Sequence, residues 1–402
     1  MKRPTPITAI AASTAKPIAN PIRSRLARDG LSRRLDREYA FAPMADEATE
    51  QDGTVAAPEG IDRTPVEAWF GENVAGVELP LDFERIAGGH SNLTYRVTDA
   101  AGRKWALRRP PLGKRLGSAH DMGREFKVVS ALGKTEVPVA PVVGLCEDEN
   151  VNGAHFYVME FVEGPILRGL AEAEVFPDEG DRRAIGERVA DTLAQIHAVD
   201  PDAAGLGDLG RKEDYVARQL HRWQGQWEKS KTRELEAIDR LHAALSARIP
   251  KQGPATIVHG DYRLDNMILT PDGEVAAVVD WELCTLGDPL ADVGLLMAYW
   301  PERDQGDDVV ALGMPANLAP GFPTQAEIAA RYAERSGRDL ADLDFYVALG
   351  YWKLAIILEG VYARYVAGGY GKVDEGVHAF ARLVERLAEE AEAVERRGGS
   401  SA

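Results

Sequence analysis

Cysteine is almost missing from this 402-residue chain: Cys146 and Cys284 are its only two. Two thiols cannot build a disulfide framework, which excludes the small cross-linked secreted class and points to a reducing compartment. A cytoplasmic location is the expectation. Long apolar runs are also lacking; no stretch approaches the ~18 residues of a membrane span, so none is expected. Positive charge is scarce, with 47 Lys and Arg against 64 Asp and Glu, for a net charge of −17. Phosphate backbones attract basic surfaces, so general nucleic-acid binding is excluded. What is plentiful is core material. Hydrophobic residues make up 45% of the chain, enough for one bilobal unit or for two or three domains.

The charge is uneven. Residues 1–43 hold nine Lys/Arg and three Asp/Glu, a net of +6, which leaves −23 for the remainder. This segment is rich in Pro, Ser and Ala and shows no apolar periodicity. It reads as a disordered extension, as an Arg-rich targeting peptide, or as sequence upstream of a natural start at Met44. Disorder is expected over 1–61 and again over 396–402.

The informative run is His259-Gly260-Asp261-Tyr262-Arg263-Leu264-Asp265-Asn266, followed by Asp280 in Val278-Val279-Asp280-Trp281. Between them, Met267 to Thr270 and Glu274 to Val279 flank Pro271-Asp272-Gly273. That pattern predicts strand, tight turn, strand. A hairpin of this length brings Asp280 back beside Asn266, so two carboxylates and a carboxamide share one site. Kinase catalytic loops use that arrangement: an Asp for the hydroxyl proton, an Asn five residues on, and a later Asp for magnesium.

Upstream, Gly88-Gly89-His90-Ser91-Asn92 forms a Gly-Gly turn before the alternating run Leu93 to Val97. Such a turn can offer backbone N–H groups to an anion, and it is also an ordinary hairpin turn. Lys104 to Arg108 reads as a further strand, Asp121 to Leu132 as a helix, and Phe156 to Gly164 as a strand ending in a turn. Helices are expected over 181–198, 211–230, 232–247 and 342–368. On the last, Lys353 and Arg364 lie about 20° apart around the axis. Two cations on one apolar stripe suggest an anionic acceptor, with pairing to Glu359 or another acidic helix as the plain alternative. Tyr215, His221, Trp223 and Trp227 are either acceptor-pocket aromatics or packing.

These motifs resemble the aminoglycoside phosphotransferase and choline kinase-like family. Trp105 to Pro111 and the stretch Asp280 to Trp300, with Gly287-Asp288-Pro289-Leu290-Ala291-Asp292, are similar to the kinase-like domains linked to acyl-CoA dehydrogenases. The resemblance covers roughly residues 62–395. It implies an α+β, bilobal protein-kinase-like fold with a small β-rich N-lobe (62–162) and a larger, mostly helical C-lobe (163–395).

It also implies ATP and Mg2+ as cofactors, with Asp261 and Arg263 catalytic and Asn266 and Asp280 on the metal. Nucleotide contacts would come from Gly88, Gly89, His90, Ser91, Asn92, Arg108, Glu125, Met159, Glu160 and Val162. Arg108 stands where most kinases carry Lys, and a planar fork replaces a point charge. Lys353, Arg364, Trp281 and Glu282 would face the acceptor, a small-molecule hydroxyl compound of acyl-CoA-like or other anionic type. An association with enzymes of acyl-CoA metabolism is expected by the same resemblance. His259, Asp288 and Asp292 are expected to support the loop. The rivals are a non-catalytic nucleotide-binding regulator, a kinase for an aminoglycoside or another small molecule, and an enzyme that transfers a nucleotidyl group.

Overall fold

The computed structural model describes residues 57–86, 92–112, 121–302, 315–368 and 375–399. The N-lobe begins with helix α1 (Arg63–Asn73), then strands β1 (Asp82–Arg85), β2 (Leu93–Thr98) and β3 (Lys104–Arg109). Helix α2 (Met122–Leu132), strand β4 (Val142–Cys146), the single turn α3 (Glu149–Asn152) and strand β5 (Phe156–Glu160) complete it. The strands form one five-stranded sheet in the order β1-β2-β3-β5-β4, with every neighbouring pair antiparallel. Strand β2 follows the expected alternation: Leu93, Tyr95 and Val97 are buried and the residues between them are less so. Its inner face packs with Phe70, Phe83, Trp105, Leu107 and Phe156 into a small core.

Residues 58–61, assigned from sequence to the extension, dock on this sheet instead. The Tyr95 hydroxyl donates to the Glu59 carbonyl at 2.6 Å, and Arg109 Nη1 donates to that of Gly60. Two buried donors needed acceptors, and this strap supplies them.

The C-lobe is mostly helical. The turn α4 (Leu170–Ala173) leads to α5 (Glu179–Ala198), α6 (Tyr215–Ser230) and α7 (Glu236–Ala247). Three short strands follow, β6 (Thr256–Val258), β7 (Met267–Leu269) and β8 (Val275–Val278), then β9 (Thr285–Gly287). The remainder is α8 (Leu290–Ala298), α9 (Gln325–Ser336), α10 (Leu343–Val366) and α11 (Glu375–Gly399). The last helix carries the chain past the expected boundary at 395.

Strands β7 and β8 pair as the Asp-Gly turn predicted, with Met267 opposite Val278, and β6 pairs with β9. Helix α10 is long and apolar enough to cross a membrane, but 72% of that apolar stretch is buried inside the protein. The sequence predicted this helix but not a span, because Lys353, Glu359 and Arg364 interrupt the apolar run. Its burial explains the composition: Trp352, Ala355 and Ile356 are fully buried in the large core.

Two glycines permit close approaches that a side chain would block. A Cβ on Gly294 of α8 would lie 2.3 Å from the Tyr346 backbone of α10, so these helices cross in near backbone contact. In the segment joining the lobes, a Cβ on Gly164 would lie 1.9 Å from the Leu269 carbonyl oxygen. The next residue supports that contact, with Leu269 N–H donating to the Pro165 carbonyl at 3.0 Å.

Candidate active site

Strand β6 delivers the loop 259–266 to the lobe junction, and buried groups hold it from below. The Asp292 carboxylate at the start of α8 accepts the N–H groups of His259 and Gly260 at 2.6 and 2.9 Å. Burial opposes its charge, but His197, His259 and the Gly260 N–H hold the carboxyl below its ordinary value. His197 is itself fully buried, and burial pushes its pKa down against the pull of Asp292. A neutral ring therefore donates from Nε2 to Asp292 and accepts the Tyr332 hydroxyl at Nδ1, 2.7 Å away. Asp288 fixes the same helix, taking the Leu290 N–H at 3.0 Å and the Tyr346 hydroxyl at 2.8 Å. Both carboxylates thus serve as anchors, the geometry expected of them.

His259 lies wholly buried. Its Nε2 reaches the Val279 carbonyl at 3.1 Å, and its Nδ1 accepts the Asp261 N–H at 3.2 Å. One imidazole thereby sets both the Asp261 backbone and the chain just before Asp280. The Tyr262 hydroxyl donates to the Val189 carbonyl of α5 at 2.7 Å, a second anchor. Gly260 takes φ +86°, where a Cβ would also press on Leu283 at 3.0 Å.

Asp261 faces the junction. Asn266 Nδ2 donates to its carbonyl at 2.9 Å and to its Oδ2 at 3.1 Å. Val279 N–H donates to the Asn266 carbonyl at 3.0 Å, which brings Asp280 in beside them. Asp280 has φ +67° and ψ +57°, a left-handed conformation that costs a non-glycine residue about 1–2 kcal/mol. The fold keeps that strain where it aims a carboxylate at the cleft.

Across the cleft, Arg108 Nε meets Glu125 at 3.0 Å, and its Nη2 reaches Asp280 and, at 3.5 Å, Glu282. Burial works against the guanidinium charge, but Glu125, Asp280, Tyr157 and Glu282 more than offset it and raise its pKa. Glu125 is pushed up by burial, with Arg108 and the Tyr157 hydroxyl pulling the other way. Arg108 and Glu125 are therefore paired.

Three carboxylates around one guanidinium leave a formal excess of two negative charges. That imbalance suits a divalent cation. Asn266 spends its Nδ2 on Asp261 and keeps Oδ1 as an oxygen donor, while the Asp280 side chain is one-third exposed. A carboxylate, a carboxamide oxygen and phosphate oxygens form a set that Mg2+ accepts. Among the described residues no cluster of three or more His, Cys, Asp or Glu has metal-binding geometry, so the protein side of the site stays sparse.

Other expectations need correction. Trp281 is buried, donates to the Val278 carbonyl at 2.9 Å and packs 4.6 Å from the His259 ring; it is core, not acceptor surface. Glu282 turns to the N-lobe, accepting Asn92 Nδ2 at 2.7 Å. The proposed cationic stripe is divided: Lys353 Nζ donates to the Gly260 carbonyl at 2.9 Å, whereas Arg364 is exposed three turns further on. Glu359 pairs with neither, taking Thr232 and Arg233 instead. Arg263 lies between Asp265 and Asp261, its Nε 3.0 and 3.3 Å from them. Burial lifts the Asp265 carboxyl to about 6, with Arg263 opposing.

Gly88, Gly89, His90 and Ser91 fall outside the described residues. Met159 and Glu160 lie at the end of β5, and Val162 lies in the segment that joins the lobes. Of the α6 aromatics, Tyr215 and Trp227 are core, His221 is exposed, and Trp223 meets Lys353 Nζ 5.5 Å above its ring. Sequence reading missed Tyr299. Its ring lies under Arg263 at 4.9 Å, and burial together with the nearby Asp261 carboxylate raises the pKa of its hydroxyl. No local spacing links 299 to 261.

A small antiparallel lobe, a helical lobe and a catalytic-type loop at their junction define the protein-kinase-like class of phosphotransferases. Residues 82–346 match the model of the phosphotransferase enzyme family, and the chain belongs to that family. Acyl-CoA dehydrogenase family member 10 of Mus musculus is 37% identical over 327 residues, 78% of this chain but 29% of its own length. Family member 11 of Homo sapiens is 33% identical over 338 residues, covering 82% of this chain and 42% of its own. The chain thus spans well under half of these relatives.

Among solved structures, a protein from Ralstonia eutropha named provisionally as an aminoglycoside phosphotransferase has a TM-score of 0.68 at 35% identity, with 82% of this chain and 98% of that one covered. An ethanolamine kinase from Plasmodium vivax shares the fold at a TM-score of 0.53 and 12% identity, covering 79% and 85%.

Proposed function

We propose that this protein is an ATP- and Mg2+-dependent kinase that phosphorylates a hydroxyl of a small anionic metabolite. The observation that carries the reading is the convergence of Asp261, Asn266 and Asp280 opposite the Arg108–Glu125 pair. Asp261 lies against Asn266, whose Nδ2 fixes its carboxylate for aligning a substrate hydroxyl and accepting its proton. Asn266 and Asp280 would hold the metal. When bound, Mg2+ neutralises charge on the phosphate oxygens. Arg108 binds α- and β-phosphate oxygens by exchanging part of its carboxylate pairing for them, and Glu125 keeps it oriented. Catalysis then consists mainly of positioning and charge stabilisation.

Lys353 supports an anionic acceptor. It is an ammonium facing the Gly260–Asp261 loop, with burial lowering its pKa and Asp261 opposing that shift. The names of the curated relatives support an acyl-CoA-like acceptor and a working association with acyl-CoA enzymes.

The test couples binding to turnover. ATP with Mg2+ at ~100 times its dissociation constant should stabilise the protein by about 2.7 kcal/mol and raise the melting temperature by several degrees. Asp261→Asn should keep that shift and lose turnover on a hydroxyacid or hydroxyacyl thioester panel by roughly 10²-fold or more. Wild-type protein that binds ATP yet forms no phosphorylated product from the panel would overturn the catalytic reading.

A further inference from the structure

We propose that Asn92 and Glu282 form a latch that ties the start of β2 to the Asp280 turn and so holds Arg108 in place for nucleotide. The proposal deepens the kinase reading and rests on it. Asn92 immediately precedes β2 and is 1% exposed. Its Nδ2 donates to Glu282 Oε2 at 2.7 Å, and Arg108 Nη2 approaches the same oxygen at 3.5 Å. One carboxylate oxygen therefore receives donors from two N-lobe strands.

The acceptor end is stiff. Residues Trp281–Leu283 form a single 3-10 turn directly after Asp280, closed by the Cys284 N–H on the Trp281 carbonyl at 3.0 Å. Helix α2 adds a tie to the same turn, with Arg124 Nη2 donating to the Cys284 carbonyl at 2.8 Å. A force on Glu282 is thus transmitted to Asp280 within two residues.

The energetics favour a positioning role. Glu282 is only 11% exposed, so its bonds to an amide and a guanidinium are charge-assisted contacts with little competing water. A carboxylate serving only as a counter-charge for Arg108 would not need Asn92. An amide aimed at the shared oxygen fixes which rotamer Glu282 presents, and through it the direction of the Arg108 fork.

The experiment measures AMP-PNP affinity in the presence of Mg2+ by calorimetry for the full chain. Asn92→Ala and Glu282→Gln should each weaken binding roughly tenfold, and the double variant should be no weaker than the worse single, because both remove one connection. The KM for ATP should rise more than kcat falls. A length exchange supplies the control that a folding defect cannot imitate. Glu282→Asp should weaken binding, and adding Asn92→Gln should recover most of the loss by restoring the span. Additive losses, or absence of recovery in a protein that melts as cooperatively as wild type, overturn the latch. Wild-type affinity with unchanged variants overturns the latch alone, whereas wild-type protein that fails to bind AMP-PNP overturns the kinase reading with it.

Discussion

Asp292 carries more of the loop's geometry than any residue in the motif itself. It is a buried carboxylate that satisfies two consecutive backbone N–H groups and a neutral imidazole. Asp292→Asn keeps the shape but turns one acceptor into a donor facing those N–H groups, so a loss of about 2–4 kcal/mol is expected by urea unfolding. The sign with pH follows from its lowered pKa. The stability difference between wild type and variant should be full above the ordinary carboxylate value of 3.8 and shrink as pH falls through the lower folded value. A difference that does not change across acid pH would remove the charge of Asp292 from the account.

At this scale the sequence was legible where spacing constrains geometry. Asp261, Asn266 and Asp280 converge because a two-strand hairpin of fixed length joins them. Trp281 and Glu282, expected from the resemblance to face the acceptor, do not, because the turn that follows Asp280 sends them elsewhere. In a 3-10 turn successive side chains diverge, one into the core and one toward Asn92. Lys353 and Arg364 do share a helix face, but no wheel reveals what that face meets.

Among the elements, the crossing of α8 and α10 positions the loop through Asp288, Asp292 and Tyr346. That crossing depends on Gly294. Gly294→Ala gains about 1 kcal/mol of helix propensity. It also places a methyl group 2.3 Å from the Tyr346 backbone, and forced separation costs more, typically 1–3 kcal/mol or above. The expected outcome is a lower melting temperature together with a lower kcat, since the helix carrying Asp292 shifts. An unchanged melting temperature would show that the helices can separate without cost. The five helices expected from the sequence formed with ends within about four residues of their expected bounds, whereas α1, α8, α9 and α11 were not expected. Which helix packs on which was not readable, because glycine contacts of this kind leave no periodic signal.

For the molecule as a whole, the two lobes meet through the polar ties around Arg108, through Val128, Val129 and Leu132 of α2 packed into the large core, and through one covalent segment. Gly164→Ala should lower the melting temperature and weaken AMP-PNP binding, although Gly164 itself contacts no phosphate-binding residue; titration of the folded variant measures it. Undiminished affinity would show that the segment adjusts independently of the cleft. The family resemblance implied two lobes of unequal size, whereas length and composition alone left one bilobal unit or two or three domains open. The strap at 58–61 was not expected, since its role comes from hydroxyl and guanidinium donors located far along the chain.

The near contact of Gly164 with the Leu269 carbonyl also limits how the cleft can widen. Pinned on its C-lobe side, the connecting ribbon is also tied to the N-lobe, where the Phe161 N–H donates to the Lys104 carbonyl at 3.3 Å. Any bending of the ribbon therefore falls on Val162 and Glu163, the two residues between these ties, so a nucleotide seated against Val162 would stiffen the pivot as it binds.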